Sequence, residues 1–134
     1  MNASSWEELT SQLAVRLPLL EFNDVIQLTA PGNRWTELMQ LEDSLALDAV
    51  SNEFLPPDGQ LDAAQEQEMR NRGWQSPLPL WTHQVDKWPL NSRDAARVAD
   101  LMVSTLRDVY RVADPSDIEV TSFNASPQGT SSLP

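Results

Sequence analysis

The sequence predicts an α+β fold: an antiparallel sheet covered on one side by helices. Three observations carry this. Apolar residues near the N-terminus recur at helical spacing, the period drops to two between residues 24 and 52, and a long amphipathic stretch occupies 92–111. The 134 residues make one domain's worth of chain, and an apolar fraction of 40% suffices for one modest core. The domain is expected over residues 4–120, followed by a Ser/Pro/Gly-rich tail at 121–134 expected to be disordered.

Residues 4–17 form the first predicted helix. Ser4 with Glu7, or Ser5 with Glu8, offers a capping box, and Trp6, Leu9, Leu13 and Leu17 stack on one face. Pro18 ends it, because a proline pushes the preceding residue out of the helical region. "DVIQLTA" (24–30) then puts Ile26 and Leu28 on one side of a strand and Val25, Gln27 and Thr29 on the other. After the turn "PGN", "RWTELMQLE" puts Trp35, Met39 and Leu41 on one face and leaves Leu38 alone among polar residues on the other. "LALDAVS" aligns Leu45, Leu47 and Ala49. These short strands with tight connections predict a meander with one covered face.

"NEFLPPDG" (52–59) breaks regular structure, and 60–72 reads as a mostly exposed helix with a weak apolar face of Leu61, Ala64 and Met69. Gly73 stands where a left-handed residue closes a helix. Trp74 follows, where an apolar side chain folds back onto the last turn, against Met69 or the sheet edge. At 79–88, Trp81, His83 and Val85 alternate with Thr82, Gln84 and Asp86, and Pro77, Pro79 and Pro89 mark an edge strand. The helix at 92–111, capped by Asn91 or Ser92, gathers Val98, Met102, Leu106 and Tyr110 into its apolar arc. At about 30 Å it outruns a sheet of short strands. The surplus stripe predicts a homodimer, because exposed apolar surface tends to mark interfaces. "DPSDIEV" (114–120) adds a last turn or short strand.

The formal net charge of −11 makes nucleic acid and an anionic membrane surface poor partners and a basic or amphipathic polypeptide a better one. No apolar run can span a bilayer, and "MNASSWEELTSQ" is no signal peptide, so the chain reads as cytoplasmic. There is no cysteine, which excludes disulfides, thiol catalysis and thiolate metal sites. The sequence holds no serine elbow, zinc-protease motif or phosphate loop, and His83 is the only histidine. Glu7–Glu8 and Glu42–Asp43 read as a helix first turn and a strand turn. No catalytic residue, cofactor or metal is therefore expected.

The order of elements resembles the YbjN and type III secretion chaperone-like domains of many actinobacterial proteins. The resemblance covers roughly residues 5–118. It is carried by "SNEFLPPDGQLDAAQEQEMRNRGWQSP" (51–77), with N-x-x-L at Asn52–Leu55 and G-W-x-x-P at Gly73–Pro77, and by "ARVADLMVSTLRDVYRVADPSDI" (96–118). It implies helices against a strongly bent antiparallel sheet, dimers, and the holding of an extended segment of another protein. On that reading the chain is a non-catalytic, chaperone-like binding domain, with Trp35, Leu38, Trp81 and Val85 expected to line the site. The competing reading of those four residues is core. Two other functions stay open: a regulatory or immunity-type binding protein, and a small enzyme with carboxylates or His83 converging in a cleft.

Overall fold

A computed structural model describes residues 5–125. Helix α1 spans Trp6–Arg16, and Ser5 is its cap, accepting from the Glu8 amide at 3.0 Å. Leu9, Leu13 and Leu17 face the core, and a single tight turn at Leu17–Leu19 carries Pro18. Strands β1 (Asp24–Ala30), β2 (Arg34–Gln40) and β3 (Leu45–Ala49) follow as the meander. Helix α2 (Ala63–Asn71) leads to β4 (Trp81–Val85), helix α3 (Ser92–Ser104) and β5 (Glu119–Asn124). The sheet order is β4-β3-β2-β1-β5, antiparallel throughout. The predicted fold class is the one observed.

Residues directly opposite one another in antiparallel strands share a face. The register Ile26↔Leu38↔Leu47 and Leu28↔Thr36↔Ala49 therefore defines the inner face, and all six are buried. Helices cover this side: Thr36 Oγ1 donates to the Met102 carbonyl of α3, and Arg16 of α1 donates to Ser122 Oγ on β5. This reverses the sequence expectation for β2. Its polar-looking face, Thr36, Leu38 and Gln40, is the core face, while Trp35 and Met39 lie half-buried on the outer one. A hydroxyl can sit there because a helix carbonyl accepts its proton.

Helix α2 closes as expected. Gly73 has φ +98°, its amide donates to the Arg70 carbonyl at 3.0 Å, and the Trp74 amide donates to Met69 at 3.0 Å. This paired closure folds Trp74 into the core, where its indole N–H donates to Thr105 Oγ1 at 3.2 Å. The last helix departs from expectation. Regular α-helix stops at Ser104, and a wider turn over Thr105–Val109 follows, closed by the Tyr110 amide on the Thr105 carbonyl at 3.1 Å. The Tyr110 hydroxyl then reaches the Val50 carbonyl, and burial pushes its pKa up. Val98, Met102, Leu106, Val109 and Tyr110 are all buried. No surplus stripe is left, so the feature that predicted a dimer is absent from this helix. The expected tail also begins too early at 121: Thr121–Asn124 are strand residues paired to β1, and residues 126–134 lie outside the described residues.

Candidate functional site

Because the helices pack on the inner face, the outer face of the sheet is open. Thr29, Thr82, Gln84, Glu119, Thr121 and Phe123 are exposed there, and the central Gln27, Trp35, Glu37, Met39, Ala46 and Asp48 are half-buried. The register arranges these side chains in rows across the strands. One row is apolar from β5 to β3, Phe123, buried Val25, Met39 and Ala46, and ends on Gln84 of β4. The next is polar: Thr121, Gln27, Glu37, Asp48, Thr82. Gln27 donates to Glu37 at 2.5 Å and accepts from Thr121 at 3.4 Å. The Asp48 carboxylate has no hydrogen bond or ion pair among the described residues, and desolvation, then the Glu37 charge, push its pKa up. Arg34 is the only Lys or Arg in the five strands, and it faces inward to the Tyr110 carbonyl.

The two sheet edges differ. The Ala125 amide donates to the Asn23 carbonyl, which fixes the alternation along β5. Phe123 and Thr121 turn their backbone groups to β1, so Val120 and Ser122 turn theirs to the free edge. On β4 the equivalent position is taken: Thr82 exchanges backbone hydrogen bonds with Gln75, at 2.7 and 3.4 Å. Phe123 (39% exposed) stands on β5 and Phe22 (56%) beside it, its carbonyl accepting from Asn124; Val15 (70%) and Leu19 (75%) are exposed on α1 and the turn after it. A second apolar group lies at the far end of the outer face, where Trp35, Phe54, Pro79 and Leu80 line a cleft of about 290 Å³.

The four residues expected to line a site are not brought together. Leu38 and Trp81 are fully buried on the inner face, so their bulk fills the core and offers nothing to a partner. Val85 is also inward-facing and half-buried, lining a groove of about 220 Å³ against Val98 and Leu101 of α3. Trp35 alone stands on the outer face. The other readings left open find little geometry. His83 Nδ1 donates to the Gly73 carbonyl at 2.9 Å, with its ring edge-on to Trp74. Asp58 is the one carboxylate lining a cleft of about 460 Å³ beside Arg34 and Arg111, and no group of His, Asp and Glu among the described residues could hold a metal ion. No helix among them is long and apolar enough to cross a membrane. The signals missed were Leu19 and Phe22, in an aperiodic stretch between elements, and Phe123, which fell in the apparent tail.

An open sheet face, a free strand edge at β5 and neighbouring apolar side chains suit an extended polypeptide. Residues 2–124 match the family model described as T3SS (YopN, CesT) and YbjN peptide-binding chaperone 3. The chain belongs to this family. The peptide-binding chaperone family defines its role as chaperone-like binding of polypeptide, and the sequence resemblance pointed to the same family. Comparison with curated proteins finds no match, and neither does comparison with solved structures.

Proposed function

We propose that this peptide-binding chaperone domain is non-catalytic and holds an extended segment of another protein at the β5 edge and across the adjoining outer face. The observation that carries this is the free edge at Val120 and Ser122, rimmed by exposed Phe123 and Phe22. Strand addition would supply main-chain hydrogen bonds, and the apolar rim would supply burial. Cytoplasmic action, without nucleic acid or membrane as partner, belongs to the same proposal and rests on the acidic, cysteine-free sequence. The test is amide hydrogen exchange with a permanently unfolded, carboxymethylated model protein. Val120 and Ser122 should become protected, and Ser122→Pro should abolish that protection at Val120, because its lost N–H faces outward and the ladder to β1 survives. Protection elsewhere only would refute the edge assignment.

The same edge favours a second reading, since two copies paired β5 to β5 would form a homodimer. Light scattering at micromolar concentrations separates the two. A dimer mass that Ser122→Pro returns to about 15.0 kDa assigns the edge to self-association.

A further inference from the structure

The outer face contains a pairing that a sheet normally avoids. Glu37 and Asp48 stand directly opposite each other on β2 and β3, and like charges in that position are destabilising. Glu37 is partly satisfied by Gln27, whereas the Asp48 carboxylate has no partner among the described residues. No Lys or Arg occupies an outer-face position of any strand, and Glu119 adds a third carboxylate. Along β2 the pair is flanked by apolar side chains: Met39, beside Ala46 of β3, on one side, and Trp35 on the other, whose row continues to Thr29 and Glu119.

We infer that the outer face accepts a basic side chain: a polypeptide segment laid along β2 and β3 places a Lys or Arg between Glu37 and Asp48, with apolar neighbours against Met39 on one side and Trp35 on the other. This rests on the proposed holding of an extended segment and names the chemistry that segment needs. Charge complementarity decides the occupant. A second copy laid face to face would bring further carboxylates onto this pair, so it is disfavoured. The chain's own residues 1–4 and 126–134 contain no Lys or Arg, so they cannot neutralise it through a side chain. A basic residue on a foreign segment offsets the Glu37–Asp48 repulsion, and its neighbours meet Met39 and Trp35. An acidic segment would add to the repulsion, which gives selectivity by exclusion as well as by attraction.

The experiment uses short fluorescein-labelled peptides built on Val and Thr, identical except for a central pair of Lys, Gln or Glu, with binding read by anisotropy. The Lys peptide should bind tightest. The double variant Glu37→Gln with Asp48→Asn should lose about tenfold for the Lys peptide and leave the Gln peptide unchanged, as expected for two half-exposed ion pairs. The charge-matched control, Glu42→Gln with Asp43→Asn in the exposed β2–β3 turn, should bind as the parent does. Equal binding of the Lys and Gln peptides overturns the inference and leaves the holding function standing. An equal loss in the control also overturns it, because the effect would then belong to net charge. If none of the peptides binds, the holding function falls and the inference falls with it.

Discussion

Replacing Asp48 by Asn should stabilise the free protein, and the gain should disappear in acid. The substitution keeps the shape of the side chain and removes one of two like charges facing each other across β2 and β3. At a separation of roughly 6 Å, the repulsion lies between about 0.7 kcal/mol at the dielectric of water and about 3 kcal/mol at the effective dielectric near a protein surface. Salt and the half-exposed position place the expected gain near the lower end, about 1 kcal/mol, or about 4 °C in Tm for a domain of this size. The pH dependence follows from the direction of the Asp48 shift. Its folded pKa is raised by burial and by Glu37, so folding disfavours the charged form. The penalty is present at neutral pH, above the folded value, and absent below the ordinary value of 3.8. Urea denaturation of both proteins from pH 7 down to pH 3.5 tests this. The curves should separate at pH 7 and converge in acid, since every other carboxylate titrates in both proteins. A destabilised Asp48→Asn variant, or a difference that grows as pH falls, would refute the reasoning and show that the Asp48 carboxylate is favourably held.

Gly73→Ala should cost about 1–2 kcal/mol in thermal or urea melts, because φ +98° is strained for any L side chain and the new Cβ would meet His83 at 3.3 Å. Leu38→Ala should cost about 2–5 kcal/mol as a core truncation, whereas Trp35→Ala should cost less and should weaken peptide binding. Comparing a melt with an anisotropy titration separates the two roles. Acrylamide should quench Trp35 and leave Trp74 and Trp81 dark to it, at 2% and 0% exposure. Single-tryptophan variants read this directly, and strong quenching of Trp81 would contradict its place in the core.

The elements were legible because their signals are local. The spacing of Leu9, Leu13 and Leu17, the caps at Ser5 and Asn91, and the Gly73–Trp74 closure each depend on neighbours within one or two turns. The inner face of β2 was not legible. Thr36 belongs in the core because α3 supplies a carbonyl acceptor 66 residues away, and no local pattern announces that partner. The end of α3 misled for a related reason. Its apolar arc continues to Tyr110, yet the wider turn after Ser104 redirects the stripe inward, and sequence periodicity does not register a change of winding. The candidate site was the least visible part. Trp35, Leu38, Trp81 and Val85 stand out by size and hydrophobicity, and size is what draws Leu38 and Trp81 into the core. The surface that remains is defined by register: Glu37 and Asp48 are 11 positions apart, and only the β2–β3 pairing makes them opposites.

The hydrogen bonds between Gln75 and Thr82 bear on how large an assembly this chain can build. A sheet open at both edges can accept its like at each end, and head-to-tail addition then has no natural stop. Here the bridge at Gln75 occupies outward-facing backbone groups of β4, with Pro79 and Pro89 on either side. Growth at β4 is confined to the backbone groups of Gln84, whereas β5 offers those of both Val120 and Ser122. A strand added at β5, from a client or from a twin, uses up the longer free edge and leaves the short, proline-flanked one. Unequal margins of this kind work against fibre growth, because a chain occupied at β5 presents little edge to the next.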